Sequence, residues 1–245
     1  NIKIETVTPN RLKIYFDVNK TQKEETKNDS IGKLRVQWLH GAVAKNLKAT
    51  VNVSFIQTET HFNGYSQFVF DSPLRTYYGE SSTIFDASLA NNGEAVIRSA
   101  FPDCQTAPGM LRANFVSRVF EEGGDFSIDR FQMPYSPYRH YVGLRTPESK
   151  NYNHSIETGK THVFEIASLN ALGKAVDLNQ VQLKVYKLQW RWWYENDHED
   201  ISDYISRNGT LVITDTMLQT KNGKINFGFR IQDENYGRYL VTVTD

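Results

Sequence analysis

The sequence of 245 residues holds a single cysteine, Cys104, so no disulfide within the chain can staple the fold. Hydrophobic cores have to do that work. Apolar residues at 39%, with 13 Tyr and 14 Phe among them, are enough for one or two sizeable cores rather than a disordered chain. Net charge is absent as well: 28 basic side chains balance 28 acidic ones, which removes the electrostatic case for nucleic acid or an anionic membrane surface. No run reaches the apolar length of a membrane span, no signal peptide opens the chain, and no long segment keeps a helical period. Signatures of catalysis are missing too. The six histidines, at 40, 61, 140, 154, 162 and 198, show no i, i+2 or i, i+4 pairing for a metal. Neither Gly-x-Ser-x-Gly, a phosphate loop nor a dinucleotide fingerprint occurs, so an enzyme reading has no catalytic residue set behind it and no cofactor is expected.

What the chain does have is two-residue alternation, and it has it twice. Near the C-terminus, Asn222-Gly223 supplies the positive-φ residues of a tight hairpin turn; after Gly237, Tyr239, Val241 and Val243 point one way while Arg238, Thr242 and Thr244 point the other. About 130 residues earlier, Asn92-Gly93 precedes Gly109, after which Leu111, Ala113 and Phe115 alternate with Arg112, Asn114 and Arg118. Upstream, Ile84-Phe85-Asp86 and Leu89 stand where Ile213-Thr214-Asp215 and Leu218 stand in the later copy. A shared order of turn, strand, glycine and strand with the burial phase kept indicates two copies of one β domain.

In chain order, Leu12, Ile14, Phe16 and Val18 share one face of a first strand, and residues 19–30 form a solvated loop. Strands follow through Leu34, Val36 and Trp38 and through Val51, Val53 and Phe55; residues 61–82 are aromatic but aperiodic, a long ordered loop or extra hairpin. The two prolines of Met133-Pro134-Tyr135-Ser136-Pro137-Tyr138 predict a stiff, docked connector into the second copy. There Val181, Leu183 and Val185 share a face, after which Tyr186, Leu188, Trp190, Trp192 and Tyr194 take the opposite parity. That switch predicts a bulge near 185–187 or a strand buried on both sides. Both ends of the chain alternate like strands, as a piece of a longer protein would. The fold class is all-β, two consecutive sandwiches, with domains at 1–138 (including the long loop insertion) and 139–245.

The segment Tyr186-Lys187-Leu188-Gln189-Trp190-Arg191-Trp192-Trp193, the ending Asn235-Tyr236-Gly237-Arg238-Tyr239, and, in the first copy, residues 107–115 and 129–138 resemble the alpha-2-macroglobulin family, above all the large exported members from Bacteroides-type bacteria. The resemblance implies two macroglobulin domains, fibronectin- or immunoglobulin-like β-sandwiches, acting as non-catalytic scaffold in a protease-trapping inhibitor. It also implies an exported parent, periplasmic or at the cell surface with a lipid anchor as one option, whose partners are its own neighbouring domains and target proteases. The family's Cys-Gly-Glu-Gln thioester cannot be carried over: here the cysteine reads Cys104-Gln105-Thr106-Ala107. No bait segment is clear either.

Three stretches could carry chemistry or binding. Trp190, Trp192 and Tyr194 on one strand face could form a platform for sugars, or bury against another sheet or domain; Trp193 and Arg191 face oppositely and could stack on each other. This aromatic strand, 186–194, supports the alternative function, a cell-surface module binding glycan or protein. The acidic loop Glu195-Asn196-Asp197-His198-Glu199-Asp200 with Asp203 offers oxygen ligands for calcium but lacks the glycine and spacing of a calcium loop, so a solvated loop is the simpler reading and no metal site is assigned. Cys104 reads as a reactive thiol or as an ordinary loop or partly buried cysteine.

Overall fold

The computed structural model describes residues 10–18, 30–149, 155–188 and 211–245, and within them the chain divides into two compact units. The first comprises Asn1–Ile56, Tyr78–Cys104 and Arg112–Tyr135; the second comprises Gln57–Tyr77, Gln105–Leu111 and Ser136–Asp245. The solvated loop expected at 19–30 lies almost wholly outside the described residues.

In the first unit the strands are β1 (Leu12–Val18), β2 (Gly32–Trp38), β3 (Lys48–Gln57), β4 (Ser82–Ser88), β5 (Glu94–Ile97), β6 (Leu111–Phe120) and β7 (Phe126–Tyr135). They form one sheet in the order β1-β2-β5 and another in the order β4-β3-β6-β7. Alternation decides which face is covered: Leu34 and Val36 of β2, Val51, Val53 and Phe55 of β3, and Leu111, Ala113, Phe115 and Val119 of β6 are all buried, with their sequence neighbours turned outward. Phe115 sits in an aromatic cluster, 5.3 Å from Phe16 edge to face and 5.8 Å from Phe131 in a stacked pair. Covering a side chain of this size contributes about 2–3 kcal/mol. β7 absorbs the predicted proline connector as far as Tyr135. It is an edge strand, so Pro134 forfeits no ladder bond that a central strand would need.

The second unit holds β8 (His140–Arg145), β9 (Thr161–Asn170), β10 (Val181–Leu188), β11 (Leu211–Leu218), β12 (Lys224–Arg230), a 3-10 turn at Asp233–Asn235 and β13 (Arg238–Thr244). Its sheets run β12-β9-β8 and β11-β10-β13, so β8 to β13 repeat the arrangement of β1 to β6 strand for strand. The core gathers Val142, Ile166, Val181, Leu183 and Val185. Between Val185 and Tyr186 the register against β11 slips, with Ile213 of β11 the extra residue, while the pairing of β10 with β13 runs unbroken from Gln182 to Leu188; the next buried residue after Val185 is Leu188.

Backbone hydrogen bonds show how deep the repetition goes. Val36 N–H donates to the Gly93 carbonyl at 2.9 Å, and Ser168 N–H to the Gly223 carbonyl at 2.9 Å. Trp38 N–H to Ala42, Gly41 N–H to Trp38 and Leu89 N–H to Leu47 recur as Asn170 to Lys174, Gly173 to Asn170 and Thr220 to Leu178. Leu89 therefore corresponds to Thr220, two places beyond the Leu218 that the sequence comparison suggested.

The Asn-Gly turns differ from expectation in one respect. At Asn222-Gly223 the arms do close a tight turn, with Lys221 and Lys224 bridged by two backbone hydrogen bonds, but the pairing does not extend into a sheet, because β4 and β5, like β11 and β12, belong to different sheets. Each turn carries the chain from one layer to the other, and each arm builds its ladder with another strand, β3 and β2 in the first copy. Left-handed backbone at Asn222 (φ 51°) and Gly223 (φ 69°), and at Gly93 (φ 72°), makes the reversal tight. Glycine is needed there for a second reason: a Cβ on Gly93 would fall 2.7 Å from the Val36 carbonyl, and one on Gly223 2.9 Å from that of Ser168.

Gln57–Tyr77, inserted between β3 and β4, packs in the second unit. Phe62 and Phe70 cluster there with Tyr141 and Leu169, and Val69 exchanges two backbone hydrogen bonds of 2.9 Å with Leu144 of β8.

Candidate functional site

The aromatic platform residues Trp190, Trp192, Trp193 and Tyr194, and the acidic loop 195–200 with Asp203, lie outside the described residues. At the described foot of that strand Leu188 is buried, while Tyr186 is half-buried and in register with Val212 and Leu240. Val212, at 46% exposure, leaves this apolar row partly open.

Cys104 is 4% exposed and its thiol points at the Pro102 carbonyl, 3.2 Å away, the setting of an inert buried cysteine. The described histidines serve local contacts: His61 faces Glu59, His140 faces Asp245, His162 meets the Glu157 carbonyl, and His40 stacks on Trp38. Among the described residues no group of three or more His, Cys, Asp or Glu is placed to hold a metal ion. An open groove of about 230 Å³ between β1 and β7 is lined by Lys13, Tyr15 and Asp129, and Asn10 spans it by pairing its amide with the backbone of Ile128. No nucleophile and base meet there.

The most highly organised polar site lies in the second unit, where residues 57–77 meet 105–111. The Asp71 carboxylate accepts the Thr60 N–H at 2.9 Å and the Thr60 hydroxyl at 2.5 Å, and Thr60 Oγ1 in turn accepts the Met110 N–H at 2.7 Å. Gly109 makes this possible, since a Cβ there would stand 1.8 Å from Asp71 Oδ1. Beside it, Arg75 donates to the Tyr138 hydroxyl at 3.0 Å, and that hydroxyl donates to the Ala107 carbonyl at 2.5 Å. Tyr141 is buried and its hydroxyl donates a hydrogen bond to Ser136 Oγ at 2.5 Å, while Ser136 donates to the Tyr138 carbonyl at 2.8 Å. Burial pushes the Tyr141 hydroxyl from 10.0 up to about 12, against the opposing effect of its hydrogen bond with Ser136.

A hydroxyl on a carboxylate has the outline of a nucleophile and its base, but Thr60 is 2% exposed and both its donor and its acceptor capacity are spent on Asp71 and Met110. The cluster is a clasp that fastens loops, not a reaction centre. Sequence reasoning missed it because its members are 11 to 50 residues apart and follow no period. The only local signal was an isolated Asp71 closing the aromatic run Phe68-Val69-Phe70.

A second polar cluster stands where the other copy is apolar. Ser168 and Thr220, at 0% and 1% exposure, bond to each other at 2.8 Å; Ser168 donates to the Val176 carbonyl and Thr220 Oγ1 accepts the Leu178 N–H. Their counterparts by backbone bonding are Val36 and Leu89.

Comparison with known proteins agrees with the duplicated plan. Residues 10–137 match the family model described as the bacterial alpha-2-macroglobulin MG5 domain, and residues 143–245 match bacterial macroglobulin domain 6. No curated protein matches the chain. Among solved structures, trypsin-activated alpha-2-macroglobulin from Escherichia coli aligns with a TM-score of 0.58 at 16% identity, over 96% of this chain and 16% of that one. The native conformation of the E. coli protein aligns at 0.56 and 17% identity, over 98% and 15% of the two chains, and methylamine-reacted Salmonella alpha-2-macroglobulin at 0.55 and 16%, over 98% and 16%. The chain thus spans about a sixth of the length of these relatives, and at such identities the likeness is one of fold. With the MG5 match covering more than half of its residues and the domain 6 match following directly, the chain belongs to the bacterial alpha-2-macroglobulin family.

Proposed function

We propose that the chain is non-catalytic scaffold of a larger protease-trapping inhibitor, supplying its fifth and sixth macroglobulin domains with covalent boundaries at 1–138 and 139–245. The observation that carries this is the tandem match in consecutive order, together with a polar inventory spent on fastening loops rather than on a reactive constellation. Two of the solved relatives were obtained after activation by trypsin and by porcine elastase, which supports proteases as the agents met by the parent protein. An exported parent, periplasmic or surface-held by a lipid anchor and of Bacteroides-type origin, fits the same reading; no described helix is long and apolar enough to cross a membrane.

The test uses the full-length protein that contains this chain. After addition of a broad-specificity protease, hydrodynamic size and cleavage of small against macromolecular substrates are followed together. Compaction with a retained protease that still cuts small peptides but spares proteins is the expected result; neither compaction nor retention removes the proposal. A second reading, a surface module binding glycan or protein through residues 186–194, is favoured by the partly open row of Tyr186, Val212 and Leu240 at the foot of that strand. Tryptophan fluorescence that ignores a broad glycan panel would count against its glycan form.

A further inference from the structure

The outer face of the four-stranded sheet in the first unit carries an unbalanced charge. Strict alternation along β6 and β7 turns Arg112, Arg118 and Arg130 outward on adjacent strands. Arg112 and Arg118 are six residues apart on one strand, so the three guanidiniums are spread along about 20 Å. None of them pairs with a carboxylate among the described residues. The nearby cation Lys48 is already matched, to Asp86 at 3.3 Å. Elsewhere in the same unit Lys33 is neutralised by Glu94 at 2.7 Å and Arg11 by Glu121 at 3.0 Å, while Arg35 lies over the Tyr15 ring.

Around the arginines Gln132 and Asn52 contribute amides and Val116 and Ile128 small apolar patches, and at the hairpin end the face closes on a pair of aromatic rings, Phe120 and Phe126, 5.9 Å apart. Each feature narrows the class of ligand. Three planar donor forks ask for carboxylates spaced along an extended molecule. Amides that both give and take hydrogen bonds ask for hydroxyl groups, and exposed rings offer stacking surface. The chain's zero net charge gives no long-range pull on a nucleic acid. Screening confines the three charges to partners in contact, within about 8 Å at physiological salt.

We propose that this face binds a carboxylated polysaccharide laid across β6 and β7, its uronate carboxylates on Arg112, Arg118 and Arg130 and a sugar face on the Phe120–Phe126 pair. The test is affinity electrophoresis of the full-length protein through gels containing polygalacturonate, with dextran as the neutral control and polyglutamate as competitor. Retardation by polygalacturonate but not dextran is expected. Joint replacement Arg112→Gln, Arg118→Gln and Arg130→Gln is expected to weaken it about tenfold or more and to abolish most of its salt sensitivity. The corresponding triple replacement by lysine keeps the charge and is expected to retain part of the binding. Because all three side chains project from the outer face, an unchanged melting temperature serves as the check on folding. Equal retardation of the glutamine variant overturns the site, and competition by polyglutamate as strong as by free galacturonate oligomers overturns the glycan in favour of an acidic peptide.

Discussion

Replacing Gly109 by alanine puts the clasp to its hardest test, because a single methyl group is aimed at the one carboxylate that holds it. The added Cβ would lie 1.8 Å from Asp71 Oδ1 and 2.3 Å from Thr60 Oγ1. To reach an ordinary contact of about 3.4 Å the carboxylate has to withdraw by about 1.6 Å, which carries the bonds of 2.5 and 2.9 Å to Thr60 beyond hydrogen-bonding range. Hydrogen bonds to a charged acceptor contribute about 1.5–3 kcal/mol each, so losing two, partly offset by rearrangement, costs about 4 kcal/mol. For a chain of this length that lowers the melting temperature of the second unit by about 10 °C. Thermal unfolding followed by circular dichroism reads the total, and hydrogen exchange at the Thr60 and Met110 amides localises it. The argument also requires non-additivity. Asp71→Ala is itself destabilising, since it strands the Thr60 N–H, but it removes the nearer of the two clashes and leaves the approach to Thr60 Oγ1, so the double variant is expected to lose less than the sum of the two single costs. A Gly109→Ala protein melting within 2 °C of the parent, or a double variant in which both costs simply add, would refute the reasoning.

The Tyr141 hydroxyl predicts an alkaline limb of stability. With the folded-state value raised to about 12 and the unfolded one near 10, its contribution of about 2–3 kcal/mol is complete below pH 10 and lost as pH climbs to 12, so urea midpoints should fall over that window and Tyr141→Phe should flatten the fall. On the outer face of β6, Asn114 Oδ1 is covered and accepts no hydrogen bond, a cost of about 1–3 kcal/mol. Asn114→Val is therefore expected to raise the melting temperature by about 2–4 °C, and a fall of that size would show that the amide is satisfied in solution. For Ser168 and Thr220, a double-mutant cycle with Ser168→Ala and Thr220→Val should return a coupling of about 1 kcal/mol in chemical denaturation, and zero coupling would mean that the bond between them contributes nothing.

What could be read from the sequence was whatever period two encodes. The buried sets Val51, Val53, Phe55 and Leu111, Ala113, Phe115 follow directly from alternation. Pairing partners were not legible in the same way. Asn92-Gly93 and Asn222-Gly223 specify a tight reversal, but whether the two arms pair with each other or with strands far away depends on the competing ladders, and β2 and β3 won that competition. The clasp was illegible for a related reason. Thr60, Asp71 and Met110 are brought together by the packing of two loops, and loop packing leaves no periodic trace.

The duplicated plan also explains where function can vary. Val36 with Leu89 and Ser168 with Thr220 occupy equivalent places, one pair apolar and the other hydrogen-bonded, and the surrounding backbone bonds are the same in both. An interior exchange of that kind is tolerated only because every donor in the polar pair is matched. It changes neither strand order nor register, so the interior sets the fold and is a poor place to differentiate the copies. Differentiation falls instead on positions the ladders do not constrain. One is the connection after the third strand of each copy: residues 58–81 follow β3, and residues 189–210, with their three tryptophans, follow β10 at the corresponding point. The other is the outer face of the sheet built on that strand, arginine-rich in the first copy, whereas in the second Lys184 and Gln182 both meet Asp215. The two unlike outer faces on one shared core are the reason binding is sought on the sheet surfaces and in the long connections rather than in the interior.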